Sequence, residues 1–246
     1  MKADHFDQQK LLALADEDVV LTQLAHRRRT LPEAVAVEAA ADAERELAAQ
    51  LVRAETEARD LDREVARLEA DVDVVRQRAA RDQQRIDTGS LPAREVTALQ
   101  HELESLARRQ GDLEDQELEL MERQETATAA LTTARQGQEA AHEARERAEQ
   151  LRDDAIADIA DATTRHEQAR AEVAGGIPEP LLALYDRIRT QTGTTGAALL
   201  KARQCQGCRM ELNGRELAAV RNADPHEVVR CENCSRILVR NAESGL

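Results

Sequence analysis

From Leu47 onward, apolar residues recur in alternating steps of four and three: Leu47, Leu51, Ala54, Ala58, Leu61, Val65, Leu68, Val72, Val75 and Ala79. A 3.5-residue period is the a/d seam of a coiled coil, and a seam this long calls for a partner helix. The residues between, such as Arg53, Glu55, Arg59, Asp60, Arg63, Glu64 and Arg67, are charged and predict a solvated flank. Thr88-Gly89-Ser90-Leu91-Pro92 interrupts the pattern, with Gly89 suited to end one helix and Ser90 with Pro92 to start the next. Periodicity resumes at Val96, Leu99, Leu103, Leu106, Leu113 and Leu120, thins through Ala127, Leu131, Ala134, Ala141 and Ala148, and strengthens at Ala155, Ile159, Ala162, Ala169 and Val173.

A short turn between two seams favours an intramolecular hairpin, because the nearest apolar stripe belongs to the same chain. With its tip near 88–92, Val75 should face Leu103 or Leu106, Leu47 should face Leu131, and Phe6 should face Val173. Arms of roughly 80 residues at 1.5 Å rise would reach about 120 Å if straight. Asp82, Gln110, Gln124 and Gln138 interrupt the seam and predict wet layers. Before it, Phe6, Leu11, Leu14, Leu21 and Leu24 form a first helical piece ending in the basic cluster His26-Arg27-Arg28-Arg29, which suits a helix C-terminus. Thr30-Leu31-Pro32-Glu33 fits a capping box, so the helix should restart or kink there.

After Gly175-Gly176 the pattern changes. Pro180 leads a short amphipathic helix with Leu181, Leu184, Tyr185 and Ile188 on one face, and Gly193-Thr194-Thr195-Gly196 is a turn. Ala198-Leu199-Leu200 predicts a strand, and Val228-Val229 and Ile237-Leu238-Val239 bracket a second short-strand region. Between them Asn213 can cap a short helix carrying Leu217 and Val220. The predicted fold is mainly α: a long antiparallel coiled-coil helical hairpin over 1–174, then a linker, short helix and small stranded C-terminal module over 175–246.

Composition sharpens this picture. One Phe, one Tyr and no Trp among 246 residues, with 33% charged, argue against a thick globular core. The net charge of −14 opposes general affinity for a phosphate backbone without excluding a local basic patch. No apolar run approaches membrane-spanning length and nothing near Met1 resembles a signal peptide, so the expected location is cytoplasmic, without membrane.

The four cysteines form two pairs, Cys205-Gln206-Gly207-Cys208 and Cys231-Glu232-Asn233-Cys234, separated by twenty-two residues. A two-residue gap in a tight turn lets both sulfurs of a pair point at one ion, and two such knuckles complete a tetrahedral shell. That spacing predicts a single structural zinc held by Cys205, Cys208, Cys231 and Cys234. Disulfides would need an oxidising compartment, and a thioredoxin-like redox pair needs a single C-x-x-C in a βαβ context. Four thiolates leave no position for water, so the metal should hold structure rather than activate a nucleophile.

These pieces together resemble the bacterial C4-type zinc-ribbon family that joins a long coiled-coil hairpin to a C-terminal ribbon. The resemblance is carried by Arg94-Glu95, Ala98-Leu99 and Glu102 after the tip, by Ile177-Pro178, Tyr185 and Ile188-Arg189 before the ribbon, and by Cys231-Glu232-Asn233-Cys234 with Arg236-Ile237-Leu238. Two positions depart from it: Val96 stands where an aromatic is usual, and Ser235 where glycine often follows the last cysteine. The resemblance implies adaptor or chaperone roles toward other proteins, or nucleic-acid binding.

Two functions follow as expectations. The first is a non-enzymatic adaptor binding protein partners through the hairpin. The alternative is nucleic-acid binding, DNA or RNA, through Arg203, Arg209, Arg230 and Arg236 beside the knuckles. From Lys201 to Leu246 eight cations face six carboxylates, and a zinc tetrathiolate brings the balance to zero, with no aromatic to stack on a base. No phosphate loop, catalytic constellation or open metal site is visible, and the six histidines are scattered. Of these, His166 reads as an ordinary packed histidine and His226 as a spare ligand that four cysteines make unnecessary. The oligomeric state is left open.

Overall fold

The structure is a computed structural model describing all 246 residues, Met1–Leu246. Its elements are α1 (His5–Arg29), α2 (Pro32–Asp87), α3 (Ala93–Gly175), α4 (Glu179–Thr192), β1 (Ala197–Lys201), β2 (Gln204–Cys205), α5 (Gly214–Asn222) and β3 (Ile237–Val239), followed by a 3-10 turn at Ala242–Ser244. They form two compact units, Ala34–Glu149 and Met1–Glu33 with Gln150–Leu246.

In the unit Ala34–Glu149, α2 and α3 pair as an antiparallel hairpin. The predicted seam is the buried one: Ala58, Leu61, Val65, Leu68 and Val72 on α2, and Leu106, Leu113, Ala127 and Ala141 on α3. Ala58 and Leu61 pack with Ala127, and Leu68 and Val72 with Leu113. The tip forms as the sequence predicts, with Gly89 at φ 67° in the left-handed region and its N–H donating to the Ile86 carbonyl at 3.1 Å. Polar side chains bridge the interrupted seam: Gln124 donates to Asp62 and Arg76 to Glu114, both at 2.7 Å, while Gln110 donates to Glu114 at 2.7 Å within α3. Those two donors hold the Glu114 carboxyl below its ordinary range.

The register differs from expectation. Leu47 lies against Gly137, where an added Cβ would sit 3.6 Å from Leu47 Cδ2, rather than opposite Leu131. Val75 packs with the cluster of Leu68, Val72 and Leu113. Counting symmetrically from the tip ignores that side chains lean toward their own helix N-terminus, away from the tip on α2 and toward it on α3. Both leans match a given α2 residue with a later residue of α3.

A second correction concerns Thr30. It does not cap α2; its hydroxyl and its N–H both donate to the His26 carbonyl at 3.0 Å, closing α1 instead. Pro32 then opens α2 as its first residue.

In the unit Met1–Glu33 with Gln150–Leu246, α1 buries Gln8, Leu11, Leu14, Ala15 and Asp18. Leu11 and Leu14 pack on Ile177, on Leu181, Tyr185 and Ile188 of α4, and on Ala197, Ile237 and Val239 of the strands. Val173 packs on this cluster, but Phe6 does not: it is 72% exposed. Two residues from Gln8 is about 200° around a helix, so Phe6 falls on the opposite face. The sheet order is β2-β1-β3, with β1 antiparallel to β2 (Leu200 opposite Cys205) and parallel to β3 (Ala198 opposite Leu238). Val228-Val229 lies outside the strands, yet the Val228 N–H donates to the Met1 carbonyl at 3.0 Å and the Ala3 N–H to the His226 carbonyl at 2.7 Å.

At the junction of α1, α3 and α4 sits Asp18, whose side chain is wholly buried. One carboxylate oxygen accepts from Arg170 Nε at 2.7 Å and Arg189 Nε at 2.8 Å, and the other from the Tyr185 hydroxyl at 2.6 Å. Burial and this hydrogen bond raise the Tyr185 hydroxyl well above its ordinary pKa, so it stays a donor. Nearby, His166 is half-exposed and bonded to Glu17 at 2.7 Å. It is thus bonded to a carboxylate rather than packed on an apolar face.

Two predictions follow from these contacts. Cysteines at Leu47 and Gly137 should crosslink within one chain, with the native cysteines protected by metal, and faster than cysteines at Leu47 and Leu131. Gel mobility after mild oxidation separates the registers. Asp18→Ala should lower stability by about 3 kcal/mol, because two guanidinium groups lose their shared buried counterion. Tyr185→Phe should cost about 1.5 kcal/mol. Urea unfolding midpoints report both, and equal small effects would show that the carboxylate is not the tie between the three helices.

Candidate metal centre

The two knuckles have the same local build. In each, the first cysteine's carbonyl accepts from the N–H four residues on: Arg209 to Cys205 at 2.7 Å, Ser235 to Cys231 at 2.9 Å. In each, the first cysteine's N–H donates to the carbonyl five residues on, Met210 at 3.0 Å and Arg236 at 2.9 Å. The turn needs a left-handed residue after the second cysteine, and Arg209 (φ 60°) and Ser235 (φ 64°) supply it. Glycine would adopt that conformation without the cost of about 1–2 kcal/mol that a Cβ brings. Ser235 therefore does matter for knuckle geometry, and Arg209 is its counterpart in the first knuckle.

The four sulfurs converge. Cys205 Sγ is 3.8 Å from Cys234 Sγ, Cys208 Sγ is 3.9 Å from Cys231 Sγ, and all four lie within 4.8 Å of one another. A tetrahedron with metal–sulfur bonds of about 2.3 Å has edges of about 3.8 Å, so the set fits one zinc ion. These separations are far too long for S–S bonds of about 2.05 Å, and all four cysteines are free. Cys205 and Cys231 are buried against Ala198, Leu200, Leu212, Val220 and Leu238. Burial pushes the Cys205 thiol up to about 12 and raises Cys231 too. At Cys234 burial is outweighed by hydrogen bonds from the backbone and side chain of Arg236, which bring the thiol to about 7. Four thiolates at this spacing need a cation to hold them ionised together.

Arg236 braces the centre from outside. Its Nε donates to the Thr195 carbonyl and hydroxyl at 3.1 Å, and its Nη2 to the Thr194 hydroxyl at 2.6 Å. Its stem crosses Gly207 so closely that a Cβ there would lie 2.6 Å from Arg236 Cδ. Gly207 thus lets the second knuckle's arginine pass over the first.

The other three arginines beside the knuckles are exposed. Arg203 Nε donates to the Gly245 carbonyl at 3.2 Å and Arg230 Nε to the Ser235 carbonyl at 3.0 Å. Arg240, one of the eight cations of Lys201–Leu246, has no motif around it that marks a structural role. It is a clamp, its two Nη atoms reaching the carbonyls of Val220, Ala223, Asp224, Pro225 and Glu227 within 3.3 Å. Asn213 caps α5 through a full capping box with Glu216, as the sequence predicts. His226 is exposed and lies 3.9 Å from Asp4, outside the sulfur cluster.

Residues 14–193 match the CT398-like coiled coil hairpin domain, and residues 204–238 match the C4-type zinc ribbon domain. The chain belongs to the CT398-like coiled coil hairpin family. Among its relatives, the uncharacterized protein Rv2229c of Mycobacterium tuberculosis is 39% identical over 243 residues, 98% of either chain. The uncharacterized protein ML1638 of Mycobacterium leprae is 29% identical, over 87% of this chain and 91% of that one. A solved structure from Mycobacterium smegmatis superposes with a TM-score of 0.80 at 35% identity, covering 98% of this chain and 100% of that one. CT398 of Chlamydia trachomatis shares the fold, with a TM-score of 0.61 at 18% identity over 95% and 97% of the two chains. No helix is long and apolar enough to cross a membrane.

Because the ribbon's apolar cluster is small, metal binding should supply much of its folding free energy. Elemental analysis of reduced protein is expected to give one zinc per chain. Chelation should abolish the ordered amide signals of 197–241 while leaving the helical circular dichroism almost unchanged. A metal-free sample with an ordered ribbon would contradict this.

Proposed function

We propose that this member of the family is a non-enzymatic adaptor or scaffold that engages protein partners through its coiled-coil hairpin, with the zinc ribbon as a structural head. The observation that carries this reading is the hairpin surface. Its seam is satisfied within the chain, yet Val52, Val74 and Leu118 stand 61%, 62% and 62% exposed among charged neighbours. Exposed aliphatic side chains on a helical surface are the type of residue a partner helix covers. The all-cysteine centre supports a structural metal, since a closed tetrathiolate offers no coordination position to a substrate. A reduced tetrathiolate also suits a cytoplasmic setting.

A second reading, nucleic-acid binding by the ribbon, is favoured by one observation: Arg209 and Arg230 flank the knuckles and are exposed. Arg203 and Arg236 complete the proposed set, although Arg236 already spends three hydrogen bonds on Thr194 and Thr195. Four phosphate contacts would give a log–log salt slope of about −3 to −4.

Both readings are tested together. A photo-crosslinking amino acid at Val52 or Leu118, in cells, should capture a recurrent protein partner that the same probe at Arg215 in the ribbon does not. Titration against single- and double-stranded DNA and RNA should give weak binding with a slope shallower than about −3. Tight, sequence-selective binding at physiological salt, lost on mutating the four arginines, would overturn the adaptor reading.

A further inference from the structure

The basic cluster that ends α1 also borders a groove. Leu21, Leu24, Ala25, Arg28 and Arg29 lie at helical spacing on one face of α1, and with Ile159 of α3 and Arg189 of α4 they line a groove of about 520 Å³. Aliphatic side chains and the threonines Thr22 and Thr163 line it together with three guanidinium groups. No carboxylate lines it, although the chain holds 48 acidic residues and a net charge of −14. By contrast, the grooves along the hairpin mix both signs, Glu57, Glu119 and Glu122 with Arg123 in one and Glu57, Asp60 and Glu64 with Arg53 and Arg123 in the other. Arg28 and Arg29 are exposed. Arg189 is held by buried Asp18 at 2.8 Å, which fixes that cation in place before anything binds.

We propose that this groove is a docking site for an acidic amphipathic peptide segment of a partner protein. The partner's aliphatic side chains would lie over Leu21, Leu24 and Ile159, and its carboxylates would meet Arg28, Arg29 and Arg189. A merely solvated helix end needs arginines but no aliphatic side chains beside a third, pre-oriented cation from another helix. Nucleic acid fits less well, because the groove offers no aromatic on which a base could stack. The proposal deepens the adaptor reading and rests on it, adding a second contact surface and the chemistry of what it takes.

The test uses the full-length, zinc-loaded protein and a random twelve-residue peptide library. Panning on wild type should enrich peptides combining Asp or Glu with Leu, Ile or Val. The best of them, measured by fluorescence anisotropy, should bind at least tenfold more weakly to the double variant Arg28→Glu, Arg29→Glu. Ala25→Trp, which fills the groove from an exposed position, should weaken it comparably without changing charge. Both variants are checked for helicity and zinc content. The groove proposal falls if nothing is enriched, if enriched peptides lack aliphatic residues or tolerate Ala25→Trp, or if a single-stranded RNA of equal charge displaces them more tightly. Library failure while hairpin crosslinking still captures a protein would remove the groove alone; failure of both would remove the adaptor reading with it.

Discussion

Scarcity of large apolar side chains is the constraint on which this structure turns. With one Phe, one Tyr and no Trp, the chain has little with which to build a thick core. Each part therefore closes by a device that needs few bulky residues. The hairpin uses a one-residue-wide seam of Leu, Val and Ala. The ribbon brings four sulfurs within 4.8 Å of one another. The junction of α1, α3 and α4 converges three donors on the single carboxylate of Asp18.

The chain's two rings illustrate the economy. Tyr185 is wholly buried and spends its hydroxyl on Asp18. Phe6 is exposed, because it falls on the face of α1 opposite buried Gln8. The break at Thr30-Leu31 uncouples the phase of α1 from that of α2, which frees α1 to pack on α4 and the strands instead.

Charge is handled in a similar spirit. Arginines that look alike in sequence have separate duties: Arg240 gathers five backbone carbonyls, Arg236 braces the knuckles, and Arg170 and Arg189 neutralise Asp18. The guanidinium's planar fork makes such multi-point attachment possible where lysine's single ammonium could not match it.

The sequence by itself determined most of the helices and the identity of the metal ligands, because both depend on local spacing. The heptad seam, the Gly89 tip, the Asn213 capping box and the two C-x-x-C turns are set within a few residues of one another, and each stands where its spacing puts it. The hairpin register, the Asp18 junction, the Arg240 clamp and the pairing of Met1–Ala3 with 226–228 were decided only in three dimensions. Asp18 looked like one more acid in an acidic helix, and nothing local distinguishes it from Asp16 or Glu17. Its role comes from Arg170, Tyr185 and Arg189, more than 150 residues away along the chain. Periodicity reports which face of a helix turns inward, but not how far one helix slides along another or which distant cation meets a buried charge. Those are set by side-chain lean and by the need to neutralise a charge once water has been excluded from it.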